Sequence, residues 1–164
     1  MTTQTIGTLR REGEQRAVRH VRHYDATPEE VWAALTEPEH VKNWLAAMTI
    51  EPRAGGRVTF EWEGGHTNEG EVRVFDPPMT FEYTWEERAP SVVRIELSPE
   101  GNGTQLVLDH SRIEVDAATS IAAGWHMHLD ALESLLAGSP QTPAEWNPRH
   151  EGLVGLYEEH AKAL

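Results

Sequence analysis

Alternation of apolar and polar residues dominates this chain, and helical spacing interrupts it in two places. A period of two predicts strands with one buried face. The segments predicted to form strands are bounded by turn residues, and they lie at 5–11, 15–24, 56–63, 66–76, 79–87, 91–98 and 103–112, although the first two do not alternate cleanly. Strands joined by such short turns are predicted to pair as antiparallel hairpins.

The faces of the later strands follow from the alternation, because a one-residue slip would move every side chain to the other side. The lengths of the turns predict that Tyr83 lies between Val72 and Ile95, and that Ile95 pairs with His110. The shared apolar face comprises Val72, Val74, Phe81, Tyr83, Trp85, Val93, Ile95, Leu97, Leu106, Leu108 and His110. Most glutamates of these strands are predicted to lie on the opposite, solvated face.

One hairpin leaves two registers open. A two-residue turn at Gly64-Gly65 would place Glu69 beside Phe60 and Glu71 beside Val58, on the apolar face. A bulge or an odd-length loop would turn both carboxylates outward. Because an unpaired buried carboxylate is costly and glycine accommodates bulges, the outward arrangement is favoured. In the other register, Glu69 and Glu71 would be candidate functional residues.

Two capping boxes interrupt the strands and predict short helices at 28–36 and 38–46. Their sequences are Thr27-Pro28-Glu29-Glu30 and Thr36-Glu37-Pro38-Glu39. In each box the threonine hydroxyl is expected to accept a backbone N–H bond, and the glutamate three residues later to return one. Apolar residues at helical spacing follow both boxes. The two helices are predicted to close one end of the space under the sheet.

A longer helical stripe follows the last strand and predicts a helix at 117–137, capped by Asp116 and ended by Gly138. Its apolar positions are Ile121, Trp125, Leu129, Leu132 and Leu136, with His128 on the same side. Such a helix is about 31 Å long, enough to cross a sheet. The main domain is predicted to span 1–138. A tail at 139–164 is predicted to carry a short docked helix with Leu153, Leu156, Tyr157 and His160.

Composition narrows the class of protein. The net charge of −13 over 164 residues repels nucleic-acid phosphates and anionic membrane surfaces, so neither is an expected partner. The absence of cysteine excludes disulfides, thiolate metal sites and cysteine nucleophiles. No membrane-spanning apolar run or leader pattern is present, so a cytoplasmic location is expected. No cofactor is predicted.

The histidines do not form a pattern typical of metal binding. His126 and His128 would point about 200° apart on a helix, and His20 and His23 would lie on opposite faces of a strand. The run Asp109-His110-Ser111 contains the residue types of a catalytic triad. Neighbours on a strand alternate faces, however, so these three side chains are not expected to act together.

The order and spacing of several short motifs resemble the START-type or SRPBCC superfamily, and within it the proteins related to the activator of the heat-shock-protein-90 ATPase. The matching segments are Tyr24-Asp25-Ala26-Thr27-Pro28-Glu29-Glu30-Val31-Trp32, Gly55-Gly56, Asp76-Pro77-Pro78, Phe81-Glu82-Tyr83-Thr84-Trp85, Gly103-Thr104-Gln105-Leu106, Gly124-Trp125 and His128-Leu129-Asp130-Ala131-Leu132. The resemblance covers roughly residues 15–137. It implies an α+β helix-grip fold. In that fold a curved antiparallel sheet wraps around a long C-terminal helix, with two short helices between the first strands and the strand run.

The helix-grip plan implies a cavity between the sheet and the long helix. Its candidate lining is Phe60, Trp62, Tyr83, Trp85, His110, Trp125 and His128. A mostly apolar pocket with a few polar groups is the usual form of a small-molecule site. The favoured hypothesis is therefore non-catalytic binding of an apolar or aromatic small molecule, with a homodimer left open.

Two other functions stay open at this point. A cyclase or dehydratase could use His110 or His128 as acid–base groups and Tyr83 as a donor. A chaperone-associated role in the stress response is the third hypothesis. The simplest interpretation of the same three residues is that they are core side chains whose polar atoms are bonded locally.

Overall fold

A large antiparallel sheet forms most of the computed structural model, which describes residues 6–62, 64–86, 90–140 and 146–164. Within these residues the sheet has eight strands in the order β1-β2-β8-β7-β6-β5-β4-β3. The strands are β1 (Thr8–Glu12), β2 (Gln15–Tyr24), β3 (Ala47–Ile50), β4 (Arg57–Glu61), β5 (Thr67–Asp76), β6 (Thr80–Glu86), β7 (Pro90–Glu100) and β8 (Gly103–Ile113). Residues 5, 63 and 87, at which predicted strands begin or end, lie outside the described residues. The four residues of β3 are too few to show an alternation, and the sequence does not predict this strand.

The helices occupy the positions that the helix-grip fold requires. They are α1 (Pro28–Thr36), α2 (Pro38–Val41), α3 (Ala118–Leu136) and α4 (Trp146–Ala161). The first two lie between β2 and β3, and α3 packs across the inner face of the curved sheet. The predicted α+β helix-grip architecture is therefore confirmed. Among the helices of the described residues, none combines the length and the apolar character needed to span a membrane.

The inner face of the sheet is close to the predicted one, although two registers differ. Tyr83 and His110 both pair with Val93, whereas the turn lengths had predicted Ile95 for each. The error is two residues in both hairpins, and a shift of two leaves every side chain on the same face. The β7–β8 turn therefore lies at Gly101-Asn102, and Gly101 adopts a positive φ of 59°.

A bulge in β5 changes one assignment on the inner face. The register shifts between Val72 and Val74, so that Phe75 pairs with Phe81. Val74 is consequently only half-buried and pairs with Glu82. A bulge inserts one extra residue and exchanges the faces beyond it, which alternation alone cannot reveal.

The hairpin between β4 and β5 takes the favoured register. Val58 pairs with Gly70, so Glu69 and Glu71 point outward and are exposed. Arg57 donates to the Glu69 carboxylate at 3.1 Å. These two glutamates are therefore not candidates for the inner site.

The first predicted cap is present and the second is not. Thr27 Oγ1 accepts the backbone N–H of Glu30 at 3.2 Å. Thr36 instead lies inside α1, where its hydroxyl donates to the Trp32 carbonyl at 2.8 Å. A helical threonine reaches the carbonyl four residues back, which prevents it from capping the next helix. The second helix also ends at Val41, well before the predicted residue 46.

The long helix and the tail differ from prediction at their beginnings. A 3₁₀ turn at Val115–Ala117 precedes α3, and Asp116 does not cap it. At the other end Gly138 has a φ of 84°, and Ser139 N–H donates to the Ser134 carbonyl, as in a Schellman motif. In the tail, α4 has 16 residues and is longer than the predicted short helix. The boundary between domains at residue 138 stays a prediction.

Candidate ligand-binding site

The predicted site residues lie together on the inner side of the sheet. We call them the aromatic cluster: Phe60, Trp62, Tyr83, Trp85, His110, Trp125 and His128. Trp85 lies near the centre, with its ring centroid 5.5 Å from Phe60 and 6.0 Å from both His110 and Trp125. Strands β4, β6 and β8, the residue just after β4 and helix α3 supply these rings, so the cluster bridges the sheet and the long helix.

Exposure varies across the aromatic cluster. Phe60 and Tyr83 are only 3% and 2% exposed, whereas Trp62 and Trp85 are half-buried. Phe60 stacks on Trp85 with an interplanar angle of 21°. The cluster therefore extends from the core to one end where two large indole rings keep part of their surface accessible.

Hydrogen bonds determine the tautomer of His110. The Trp125 indole N–H donates to His110 Nδ1 at 2.9 Å, and an indole nitrogen can only donate. The neutral His110 ring therefore carries its proton on Nε2, which lies 2.7 Å from Ser91 Oγ. In this arrangement the ring donates to Ser91 and cannot accept its proton. The contact between histidine and serine does not activate a nucleophile.

His128 is held by a hydrogen bond to the segment that follows α2. Its Nδ1 donates to the Trp44 carbonyl at 2.9 Å, and its ring lies 5.8 Å from that of Trp62. Burial lowers the pKa of His128 to about 4, although the bond to Trp44 raises it, and nearby His150 lowers it further. The ring is therefore neutral at pH 7, with Nε2 as its acceptor nitrogen.

The remaining polar candidates are also neutral or point elsewhere. Burial raises the pKa of Tyr83, so its phenol stays protonated. His126 points away from His128 and bonds to the Tyr157 hydroxyl at 2.7 Å. His20 is buried and His23 is exposed, on opposite faces of β2 as predicted. Across the described residues, no group of three histidine or acidic side chains is arranged to hold a metal ion.

Asn68 is a member of the site that the sequence reasoning missed. It pairs with Phe60, is 2% exposed, and its Oδ1 accepts the Trp62 indole N–H at 2.5 Å. It follows a turn in a polar segment, which resembles a solvated hairpin end. Its position two residues before inward-facing Gly70 could have indicated an inward side chain.

Two glycines near the cluster have different roles. A Cβ at Gly70 would lie 1.8 Å from the Thr84 carbonyl oxygen, so this glycine permits close contact between β5 and β6. It does not serve to make room for the Trp85 ring. A Cβ at Gly124 of α3 would meet no heavy atom of the described residues within 4 Å. The described residues therefore leave space beside α3 at this position.

A second group of side chains, also missed from the sequence, lies on the other side of α3 under α4. We call it the polar cluster: His20, Arg22, His126, Asp130 and Tyr157. Arg22 donates to Asp130 at 2.5 Å, and the Gly7 N–H donates to the Tyr157 hydroxyl at 2.9 Å. Burial, together with Arg22 and His126, lowers the pKa of His20 to about 3. The hydrogen bonds of the polar cluster connect α4 with β2, α3 and the segment before β1.

Several solved structures share this fold. CalU16 from Micromonospora echinospora is 27% identical, with 98% of each chain covered and a TM-score of 0.78. The Aha1 dimer from Colwellia psychrerythraea is 22% identical over 73% of this chain and 95% of that one, with a TM-score of 0.65. DynU16, described as a putative protein in the dynemicin biosynthetic locus, is 23% identical over 76% of this chain and 48% of that one, with a TM-score of 0.69. Among curated proteins, none matches.

A family model matches the part of the chain that contains most of the helix-grip fold. The model describes the Activator of Hsp90 ATPase homolog 1-like protein, and it matches residues 25–137. This range runs from the end of β2 to the end of α3 and includes every residue of the aromatic cluster. It also exceeds half of the 164-residue chain. The chain therefore belongs to the Activator of Hsp90 ATPase homolog 1-like family.

Proposed function

We propose that this protein binds a neutral, aromatic small molecule between the inner face of the sheet and α3, without transforming it. The observation that carries the proposal is the half-buried end of the aromatic cluster. Trp62 and Trp85 keep accessible indole surface there, and on α3, one helical turn from His128, a Cβ at Gly124 would meet no described heavy atom within 4 Å. Accessible aromatic surface beside open space is typical of a small-molecule site.

The position of Gly124 relates the open space to the cluster. Ile121 and His128 lie three residues before and four residues after it, so the three share one side of α3. His128 contacts Trp62, which in turn contacts Trp85 at 5.9 Å. An aromatic ligand next to Gly124 would therefore have tryptophan rings within reach for stacking.

Charge favours a neutral ligand, because the chain as a whole repels anions and the aromatic cluster contains no acidic side chain to bind a cation. The chain carries a net charge of −13, which disfavours an anion. His128, at the wall of the cluster, is uncharged at pH 7 because burial lowers its pKa to about 4. The similar DynU16, described as a putative protein in the dynemicin biosynthetic locus, supports a role connected with a biosynthesised small molecule.

Binding without catalysis is favoured over a cyclase or dehydratase. His110 has a hydrogen bond on each ring nitrogen. His128 has a pKa of about 4, far from the value near 7 at which acid–base catalysis is efficient. A homodimer of this chain stays a prediction, for which the dimeric Aha1 relative gives a precedent.

Nile red, a neutral aromatic dye, provides a direct test. We expect the wild-type protein to bind it with a blue-shifted emission, because the dye would leave water for an apolar site. Leucine at Gly124 would fill the open space, so Gly124→Leu is expected to weaken binding by about tenfold or more. Native mass spectrometry of the purified protein should also show a retained organic ligand.

The matched control is Gly155→Leu. Gly155 is an exposed helical glycine of α4 whose Cβ would also meet no described atom within 4 Å. Both substitutions improve helix propensity, so neither is expected to prevent folding. Equal dye affinity of the two variants, or no binding by the wild type, would contradict the proposed function.

A further inference from the structure

Asn68 is an unusual residue for the inner face of this sheet. It lies opposite Phe60 and is 2% exposed, while its neighbours Thr67 and Glu69 point outward and are exposed. Asparagine is mostly found on protein surfaces. Its amide has one oxygen acceptor and two N–H donors, and burial removes water from all of them. The hydrogen-bond partners of each polar atom of this amide therefore matter.

Trp62 determines which way the amide faces. The indole N–H can only donate, so the amide atom 2.5 Å from Trp62 Nε1 must be the oxygen. Asn68 Nδ2 consequently lies on the other branch of the amide and presents both N–H donors there. This nitrogen is buried, and no described residue accepts a hydrogen bond from it. An unpaired buried amide donor is costly, and an acceptor brought by a ligand would remove that cost.

The amide borders the accessible end of the aromatic cluster. Trp62, to which its oxygen is bonded, contacts Phe60, Trp85 and His128 with ring centroids 5.8–6.5 Å apart. A planar ligand stacked on Trp62 or Trp85 would bring its own substituents next to Asn68. The donor therefore lies beside Trp62. Because almost none of its surface is accessible, a stacked ligand must displace the side chains that cover Nδ2 before the acceptor of the ligand reaches it.

We infer that Asn68 Nδ2 donates a hydrogen bond to a carbonyl oxygen of the ligand, which makes the ligand a neutral aromatic ketone or a related aromatic carbonyl compound. The inference rests on the proposed function and names the chemical class of its ligand. A carbonyl matches the site better than a carboxylate, because the polar groups beside it, the Asn68 amide and the neutral His128 ring, offer no positive charge. A pure hydrocarbon would leave the amide unpaired.

A pair of probes that differ only in the acceptor tests the inference. Fluorenone and fluorene have the same three-ring shape, and only fluorenone carries a carbonyl. Titration of the wild-type protein, followed by tryptophan fluorescence, is expected to show fluorenone binding about tenfold more tightly than fluorene. The substitution Asn68→Asp keeps an oxygen for the Trp62 indole and removes both donors. It should abolish the preference for fluorenone.

The control for this substitution is Asn102→Asp, in the exposed turn between β7 and β8. It makes the same change in charge and should keep the wild-type preference. Should Asn68→Asp fail to fold, the wild-type side-chain amide resonances of Asn68 decide the matter by NMR. They are expected to shift on addition of fluorenone and to stay in place with fluorene.

The outcomes separate the two proposals. Fluorenone and fluorene binding within about twofold of each other, with unmoved Asn68 resonances, would overturn the inference and leave the proposed function intact. A water molecule bonded to the amide would give this result. Failure of Nile red and of both probes to bind would overturn both proposals.

Discussion

A Cβ added to Gly7 would lie 2.4 Å from the His20 ring, whereas one added to Gly124 would meet no described heavy atom within 4 Å. The first glycine lies beside the polar cluster, which α4 covers, and the second lies on α3 one helical turn from His128, a member of the aromatic cluster. On the α4 side, the Gly7 N–H also donates to Tyr157, so the chain packs there with no room for a methyl group.

This difference bears on the proposed function, in which one side of α3 is anchored and the other side contacts the ligand. On the α4 side, hydrogen bonds from Arg22 and Tyr157 hold α3 in place. On the other side α3 contributes Trp125 and His128 to the aromatic cluster, where Trp62 and Trp85 remain half-buried. A rigid side and an accessible side are what a preorganised binding site requires.

The largest expected loss of stability comes from a substitution that breaks the polar cluster. Asp130→Ala leaves Arg22, whose side chain is 6% exposed, without its carboxylate partner. Removing one member of a buried ion pair costs about 4 kcal/mol, because the remaining charge stays desolvated. Urea unfolding measures the loss. Asp109→Ala is the control, since Asp109 is as exposed as Asp130 (22% against 21%), but its partner Arg10 is 39% exposed. It should cost less than about 1 kcal/mol.

A smaller effect concerns pH and the wall of the aromatic cluster. The pKa of His128 is about 4 in the folded chain and 6.5 ordinarily, so the unfolded chain binds more protons between these values. The contribution of His128 to the free energy of unfolding is therefore fully present above pH 6.5. It falls by about 3 kcal/mol as the pH drops to 4. His128→Asn keeps an N–H donor for Trp44 and should remove that part of the loss in urea titrations.

The control for the pH experiment is His23→Asn, because this ring is exposed and its carboxylate contacts, to Glu100 and Asp25, are exposed as well. Since exposed ion pairs contribute at most about 1 kcal/mol, the loss of stability at low pH should stay within about 1 kcal/mol of the wild-type loss. An identical loss of stability in His128→Asn and in the wild type would show that His128 is not buried in its neutral form.

The smallest effects compare the two glycines directly. Gly7→Ala should destabilise the protein by about 2 kcal/mol, because the methyl group displaces the His20 ring from its bond to the Ala122 carbonyl. Gly124→Ala should stabilise it by about 0.5–1 kcal/mol through helix propensity. Thermal unfolding of the two variants measures both. A loss of stability in Gly124→Ala would mean that the space beside α3 is already filled.

Much of the architecture was predictable from local patterns. The alternation in β6 and β8 assigned Tyr83 and His110 to the inner face even though both pairings were two residues in error. The first capping box and Gly138 placed the start of α1 and the end of α3. These features depend on residues close together in the chain, so their physical causes are visible in the sequence.

The features that the sequence did not predict correctly share a different cause. Thr36 satisfied all the sequence criteria of a cap, but it bonds within α1 because the helix extends to include it. The bulge in β5 moves Val74 away from its predicted inward position. The polar cluster joins residues more than a hundred positions apart, such as Arg22 and Asp130, and no local pattern marks such a pair.

The sequence determined the fold class, the inner face and the aromatic character of the candidate site, because these follow from periodicity and from the identity of neighbouring residues. Only the tertiary structure decided which polar atoms are satisfied and where space remains. Asn68 shows the distinction: alternation could place it inward, but only the approach of the Trp62 indole determined that its oxygen is used and its nitrogen is not. Hydrogen bonding and packing depend on groups that meet in three dimensions, and their partners are set by the folded chain as a whole.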